Sequence, residues 1–393
     1  MRFCLTLLCL CFGVNAFSQI NANCQVAGVW MPYFPKCNSN NYVLAFVENF
    51  DGDSIDKTKW QIQPWRQGAI DGDGWQDHYS FRNVELKDGI CRIVSKKETV
   101  VRRAIEWMAD TIIVGDGKQN LRTYHYTSAN MWTLESFYYG IYEARCRLPK
   151  GKGFWPAFWT YGGGAGNGWN EIDVFDNYSG INDFVTSVGY DFDEEHKSNG
   201  CSKIFYNQAD FSQWHTFTCV FEPDKIVWKV DNETIRTLYR FTTATDQPIQ
   251  CGEEVAAGTY FQKKSFPMNS MCIILSSGVG SEHGPSGPPD ETTPFPSSMD
   301  IDYVRYYKRN DLPTSYINVY PNPTNGLITV SVDDIEIDLR LQLFDNIGKM
   351  VNEELIRKKM VELDYSDYSK GLYFVNILDR VGHIVHQSKI LIE

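Results

Sequence analysis

The sequence predicts an all-β protein in two modules, a large sandwich or jelly roll followed by a small Ig-like β-sandwich. Three observations carry this. Apolar and polar residues alternate with period two through most of Tyr42 to Lys308. Gly, Asn and Asp clusters such as "DGDG", "GGGAGNG" and "VDNE" interrupt the alternation at short intervals. No long stretch repeats its apolar residues at the helical period of 3.6. Many short strands with turn punctuation between them are the pattern of a sandwich or jelly roll.

The elements follow in order. Residues 1–18 read MRFCLTLLCLCFGVNAFS: one Arg, then an apolar run too short to span a bilayer, then small residues that suit cleavage. This is a secretory signal peptide; a lipoprotein anchor at Cys9 or Cys11 is the alternative, though both lie inside the apolar run. Residues 19–41 form an N-terminal segment. The main module spans 42–309. In "GIYEARCRL", Tyr142, Ala144, Cys146 and Leu148 share one face and Glu143, Arg145 and Arg147 the other. "KIVWKV", "CIILSS" and "MDIDYVRYY" alternate in the same way. Residues 310–315, within the polar and Pro-containing "KRNDLPTS", read as a linker. Residues 316–393 hold "LITVSV", "LRLQLF" and "LYFVNIL" and make the second sandwich.

The chain has 393 residues and a formal charge of −12, a length that favours two domains. The acidic balance argues against nucleic acid or an anionic membrane as partner. After the signal peptide, no segment is apolar enough to cross a membrane. Aromatic residues make up 14 % of the chain, with 11 Trp and 22 Tyr. That richness suits a neutral polar ligand that stacks on rings, such as a sugar, or simply a large β core, since aromatics also favour strands. In an exported protein the eight cysteines after the signal can form disulfides, and Cys24 with Cys37 across a short Pro-containing loop is the best local pair. Cys146 and Cys219 sit at apolar strand positions and suit burial. The cysteines lack the spacing of a zinc site.

One short stretch carries chemistry. "GWNEIDVFDN" places Glu171, Asp173 and Asp176 within six residues. Residues two apart in a strand face the same way, so Glu171 and Asp173 project together. Asp176 is five from Glu171 and would point away, unless a β-bulge at Val174 and Phe175 turns it back. Three converging carboxylates repel one another, so stability does not favour them. They suit glycoside hydrolysis with retention, which needs two carboxyls about 5–5.5 Å apart. The plainer reading is a solvated strand face. Trp155, Trp159 and Trp169 lie close to the acids in sequence and Trp132 a little upstream; each is equally suited to the core or to a sugar platform.

Taken together, "FVENFDGDSIDKTKW", "NVELKDGICRI", "YTSANMWT", "YYGIYEARCRLPKGKGFWPAFW", "WNEIDVFD", "WHTFTCVFEPDKIVWKVDNE" and "SSMDIDYVRYYK" resemble glycoside hydrolase family 16 in order, across two thirds of the chain. The resemblance implies a concanavalin-like β-jelly roll with a concave glycan cleft, as in laminarinases, lichenases, agarases, porphyranases and carrageenases. It implies Glu171 as nucleophile, Asp173 as assisting acid and Asp176 as general acid/base. It also implies substrate binding at Trp132, Trp155, Trp159, Trp169 and Asn130, no cofactor for catalysis, and a structural Ca²⁺ at Asn49 and Asp302. Three positions depart from the family pattern. Asp176 replaces a Glu and is shorter by about 1.5 Å, Asn130 replaces an Arg, and Gly189 replaces a His. The second module, with "INVYPNPTNGLITVSV", "LFDNIGKMV", "YSKGLYFVNI" and "SKILIE", resembles the type IX secretion sorting domain of Bacteroidota. A carbohydrate-binding module is its alternative.

The expectation is therefore a secreted or surface-attached monomer that hydrolyses a β-linked polysaccharide, a β-glucan or an algal galactan. The partners implied are the polysaccharide and the type IX secretion machinery. The alternatives are a catalytically impaired, glycan-binding family member and a surface adhesin that recognises protein.

Overall fold

The computed structural model describes residues 42–62, 74–104, 119–163, 169–178, 183–191, 201–206, 209–222, 225–239, 270–309, 316–333, 338–380 and 384–393, with a few short pieces between them. The signal peptide, the 19–41 segment, the 310–315 linker, and Cys24 and Cys37 lie outside these residues. Among the described residues the only helix is one 3₁₀ turn, Phe81–Asn83, capped by Ser80.

Two antiparallel layers make the large module. One runs through the strands Tyr42–Glu48, Ser297–Arg309, Gly140–Arg147, His215–Phe221, Lys225–Val230 and Glu233–Tyr239. The other runs through Trp60–Ile62, Gln119–Phe137, Met271–Val279, Phe154–Gly163, Trp169–Asp176, Asp183–Asp191 and Cys201–Tyr206. The long strands Ile90–Arg103 and Gln119–Phe137 pair where the layers meet. Between the layers lies one core that includes Phe158, Ile172, Phe175, Phe217, Trp228, Ile273 and Ile301. The alternation read from sequence is the burial pattern observed: Tyr142, Ala144, Cys146 and Leu148 are buried, and the residues between them are not. Cys91, Cys146 and Cys219 are buried free thiols.

The first and last strands of the module are neighbours, with Tyr42 opposite Arg309. A buried ion pair fastens them: Glu222 accepts from Arg309 at 3.1 Å and from the Tyr42 hydroxyl at 2.8 Å.

The C-terminal module holds a three-stranded sheet (Tyr316–Tyr320, Leu327–Asp333, Met360–Asp364) and a four-stranded sheet (Met350–Ile356, Leu339–Phe344, Gly371–Leu378, Ile384–Ile392). Their inner faces share an aliphatic core of Ile317, Val330, Leu341, Val375 and Ile390.

Candidate active site

The strand Trp169–Asp176 sits in the middle of its sheet, between Phe154–Gly163 and Asp183–Asp191. Ile172 points into the core and Glu171 and Asp173 point outward. The pairing slips after Asp173: Asp173 faces Ser187 and Asp176 faces Val185, three residues against two. On the other edge Asp173 faces Trp159 and Phe175 faces Phe158, two against one. This is the β-bulge the acid spacing requires. Its cause is apolar. Val174 and Phe175 are consecutive yet both are buried, Phe175 against Phe217 with ring centres 4.4 Å apart. Burying a Phe side chain contributes about 2–3 kcal/mol, so the strand inserts a residue rather than leave Phe175 on the outer face. Asp176 is thereby returned to the side of Glu171.

The three carboxyls form one electrostatic unit. Burial, then the charge of Asp176, pushes Glu171 up to about 7, while a hydrogen bond from Asp173 works the other way. Asp173 is raised well above the usual carboxylate range, by burial first and then by Asp176 and Glu171. A hydrogen bond links it to Glu171, raising Asp173 and lowering Glu171, and the Ser187 hydroxyl donates to its Oδ2. Asp176 is pushed up to about 6 by burial, against two donors that favour its charged form. Those donors are Trp155 Nε1 at 3.1 Å and the Tyr178 hydroxyl at 3.0 Å. From below, Trp228 Nε1 donates to the Asp173 carbonyl at 2.9 Å. The Arg236 guanidinium lies 4.7 Å over the Trp228 ring and donates to Thr186 on the next strand.

Aromatic side chains extend along the outer face on both sides of the acids. Tyr161 and Trp169 stack at 6.2 Å and 15°. Trp159 meets Trp132 edge-on at 6.0 Å, and its Nε1 donates to Ser276. Asn130 lies opposite Ser276 on the adjoining strand, with a buried Oδ1 that accepts no hydrogen bond. Trp75 stacks on Trp155 at 4.5 Å and 15°, in space that a Cβ at Gly278 would occupy, 2.9 Å from the Trp75 ring. The expected residues Glu171, Asp173, Asp176, Trp132, Trp155, Trp159, Trp169 and Asn130 thus lie on one sheet face. Sequence reading missed Trp75, Tyr161, Tyr178, Ser187 and Ser276. Tyr161 and Tyr178 could have been found, since each lies two residues beyond a residue already singled out. Gly189 has a specific neighbour as well: a Cβ there would stand 2.8 Å from two atoms of the Trp169 ring.

Asn49 and Asp302 meet a different environment. Asp302 is held by the Arg145 guanidinium at 2.5 Å, and Asn49 is exposed. Among the described residues no three His, Cys, Asp or Glu side chains group as a metal site. A carboxylate already neutralised by a guanidinium is a poor fit for calcium.

A β-jelly roll with clustered acids under a row of rings is the frame of a glycoside hydrolase. Residues 101–280 match the model of glycosyl hydrolases family 16, and residues 318–393 match the secretion system C-terminal sorting domain. The chain carries a family 16 glycoside hydrolase domain, of the class that hydrolyses O-glycosyl bonds, followed by a type IX sorting domain that directs it to secretion or cell-surface attachment. It is 28 % identical over 281 residues to the glucan endo-1,3-β-glucosidase of Cryptopygus antarcticus, covering 68 % of this chain and 93 % of that one. It is 24 % identical to glucan endo-1,3-β-glucosidase A1 of Niallia circulans, covering 67 % of this chain but only 38 % of that protein's length. Among solved structures, an endo-acting O-glycanase from the human gut microbiota aligns with a TM-score of 0.53 at 23 % identity, over 70 % of this chain and 93 % of its own; this likeness concerns the fold alone. No helix among the described residues is long and apolar enough to cross a membrane.

Proposed function

We propose that this protein is a secreted, monomeric endo-hydrolase of a β-linked glucan that works with retention of configuration. The observation that carries the reading is the bulge, which sets Asp176 on the outer face beside Glu171 and Asp173, where its charge raises the proton affinity of both. Glu171 attacks the anomeric carbon while Asp176 gives its proton to the departing glycosidic oxygen. Asp176 then takes a proton from water, which attacks the same carbon and frees Glu171. Asp173 donates a hydrogen bond to Glu171 throughout, which favours its carboxylate form and keeps the proton affinities of the acids apart. Trp132, Trp159, Tyr161 and Trp169 stack sugar rings, and Asn130 and Ser276 supply polar contacts beneath them. The glucan preference rests on the names of the two relatives.

A second reading has one observation in its favour. Both oxygens of Asp176 already accept hydrogen bonds, so a glycan-binding protein with impaired proton transfer also fits. The test is a panel of β-1,3-glucan, mixed-linkage β-glucan and algal galactans, assayed for new reducing ends. Turnover of a β-glucan with β-configured initial products is expected. Binding to glycan without new ends would overturn hydrolysis, and preferential cleavage of a galactan would overturn the glucan assignment.

A further inference from the structure

We propose that Tyr178 is a positioning residue for Asp176, forming with Trp155 a two-donor clamp that aims the short acid/base side chain. The inference rests on the retaining reading above and adds a residue to it.

The clamp is built from covalent neighbours and packing. The strand ends at Asp176, and Asn177 pins the chain where it leaves. The Asn177 backbone N–H donates to the Pro156 carbonyl at 3.0 Å, and its side-chain amide donates to the Asp183 carbonyl. Asn177 is buried, so the chain is held on both sides at this residue. Tyr178, two residues past Asp176, comes back to the same side. Its ring meets the Trp155 ring edge-on at 5.0 Å and 88°, and Trp155 is backed by Trp75. Each donor takes a different oxygen: Trp155 holds Oδ1 and Tyr178 holds Oδ2.

A shorter side chain needs this. A Glu could search for the glycosidic oxygen with one more rotatable bond, whereas Asp176 reaches only where its Cβ and two donors send it. An error of about 1 Å in a reacting group costs around a hundredfold. Tyr178 is well suited to the task, because burial and the acids around it raise its own pKa and keep it a donor. An indole N–H can only donate, so Trp155 cannot accept the Asp176 proton, whereas the Tyr178 oxygen can. The titratable groups around Asp176 are Glu171 and Asp173 on its own strand, Tyr178 beyond it, and Tyr79 from the strand Asp77–Tyr79.

The test compares wild type, Tyr178→Phe, Trp155→Phe and Asp176→Asn in the full chain. Two measurements are made: kcat/KM against pH on the glucan that wild type cleaves, and a ¹³C carboxyl NMR titration of Asp176. Removing a donor to the carboxylate makes Asp176 hold its proton to higher pH. The alkaline limb of kcat/KM and the Asp176 titration should both move up by about one pH unit in Tyr178→Phe, the size a charged hydrogen bond implies. kcat should fall roughly 10–100-fold with KM nearly unchanged. Trp155→Phe should move the titration in the same direction, which guards against a Tyr178 variant that fails to fold. If wild type turns over, Asp176→Asn does not, and Tyr178→Phe matches wild type in limb and kcat, the clamp is overturned while the hydrolase stands. If wild type cleaves nothing on the panel, the retaining reading falls and takes the clamp with it.

Discussion

The two modules treat buried charge in opposite ways. The jelly roll gathers Glu171, Asp173 and Asp176 where burial raises every one of them. The sorting module fills its interior with Val, Leu and Ile, and His386 within it is pushed down to about 4 by burial. Folding alone asks for the second kind of interior. The strained first kind persists because the outer face of that sheet has a chemical task, and the contrast locates the task without reference to any relative.

The largest effect should come from breaking the acid unit. Glu171→Gln is expected to lower turnover on the order of 10⁴-fold or more, measured by reducing ends, with glycan affinity retained; unchanged turnover would remove Glu171 from the nucleophile role. The matching change in the other module is Leu341→Ala. It should cost the sorting module about 2–5 kcal/mol, read by denaturant unfolding, and leave kcat/KM untouched. A fall in kcat/KM would show that the modules are not energetically separate.

The modules should also differ in their response to pH. Carboxyls raised in the fold hold protons that the unfolded chain has lost, so the jelly roll loses stability as pH rises from about 4 through about 7. His386 works the other way: its folded pKa is depressed, so the sorting module loses stability as pH falls from about 6.5 towards 4. Asp173→Asn should therefore raise the jelly-roll melting temperature at pH 8 more than at pH 4, by about 2–4 °C per kcal/mol relieved. Equal shifts at both pH values would contradict this account. Smaller still, Gly189→His should push Trp169 off its seat and raise KM roughly tenfold, the worth of about 1.4 kcal/mol of ring contact, with kcat within a few-fold of wild type. Smallest is calcium. With Arg145 already on Asp302, millimolar calcium should stabilise the protein by less than about 1 kcal/mol; a large melting shift abolished by Asp302→Asn would establish a real site.

Much of this was legible in the sequence because it is local. Strand alternation shows as burial in "GIYEARCRL", and the bulge shows as the apolar pair Val174 and Phe175 between two acids. Contacts across register were not legible. Ser276 meets Trp159 across 117 residues of chain, and Ser187 reaches Asp173 only because two strands pair in one register. Trp75 lay in a turn-rich stretch, "DGDGWQDH", where nothing local marks a ring that stacks on Trp155. Asn49 and Asp302 match by position, but Arg145, which holds Asp302, comes from the neighbouring strand.

The neighbouring first and last strands of the jelly roll impose an order of events. Tyr42–Glu48 can pair only once Ser297–Arg309 exists, and that strand is also the partner of Cys91–Ser95 and of Gly140–Arg147. Closure thus joins residues more than 250 positions apart and should be slow, as pairings of high contact order are. A chain released before Ser297 would leave several strand edges open at once, and such edges recruit other chains. Truncation after Pro296 is accordingly expected to give aggregation rather than a weakened enzyme.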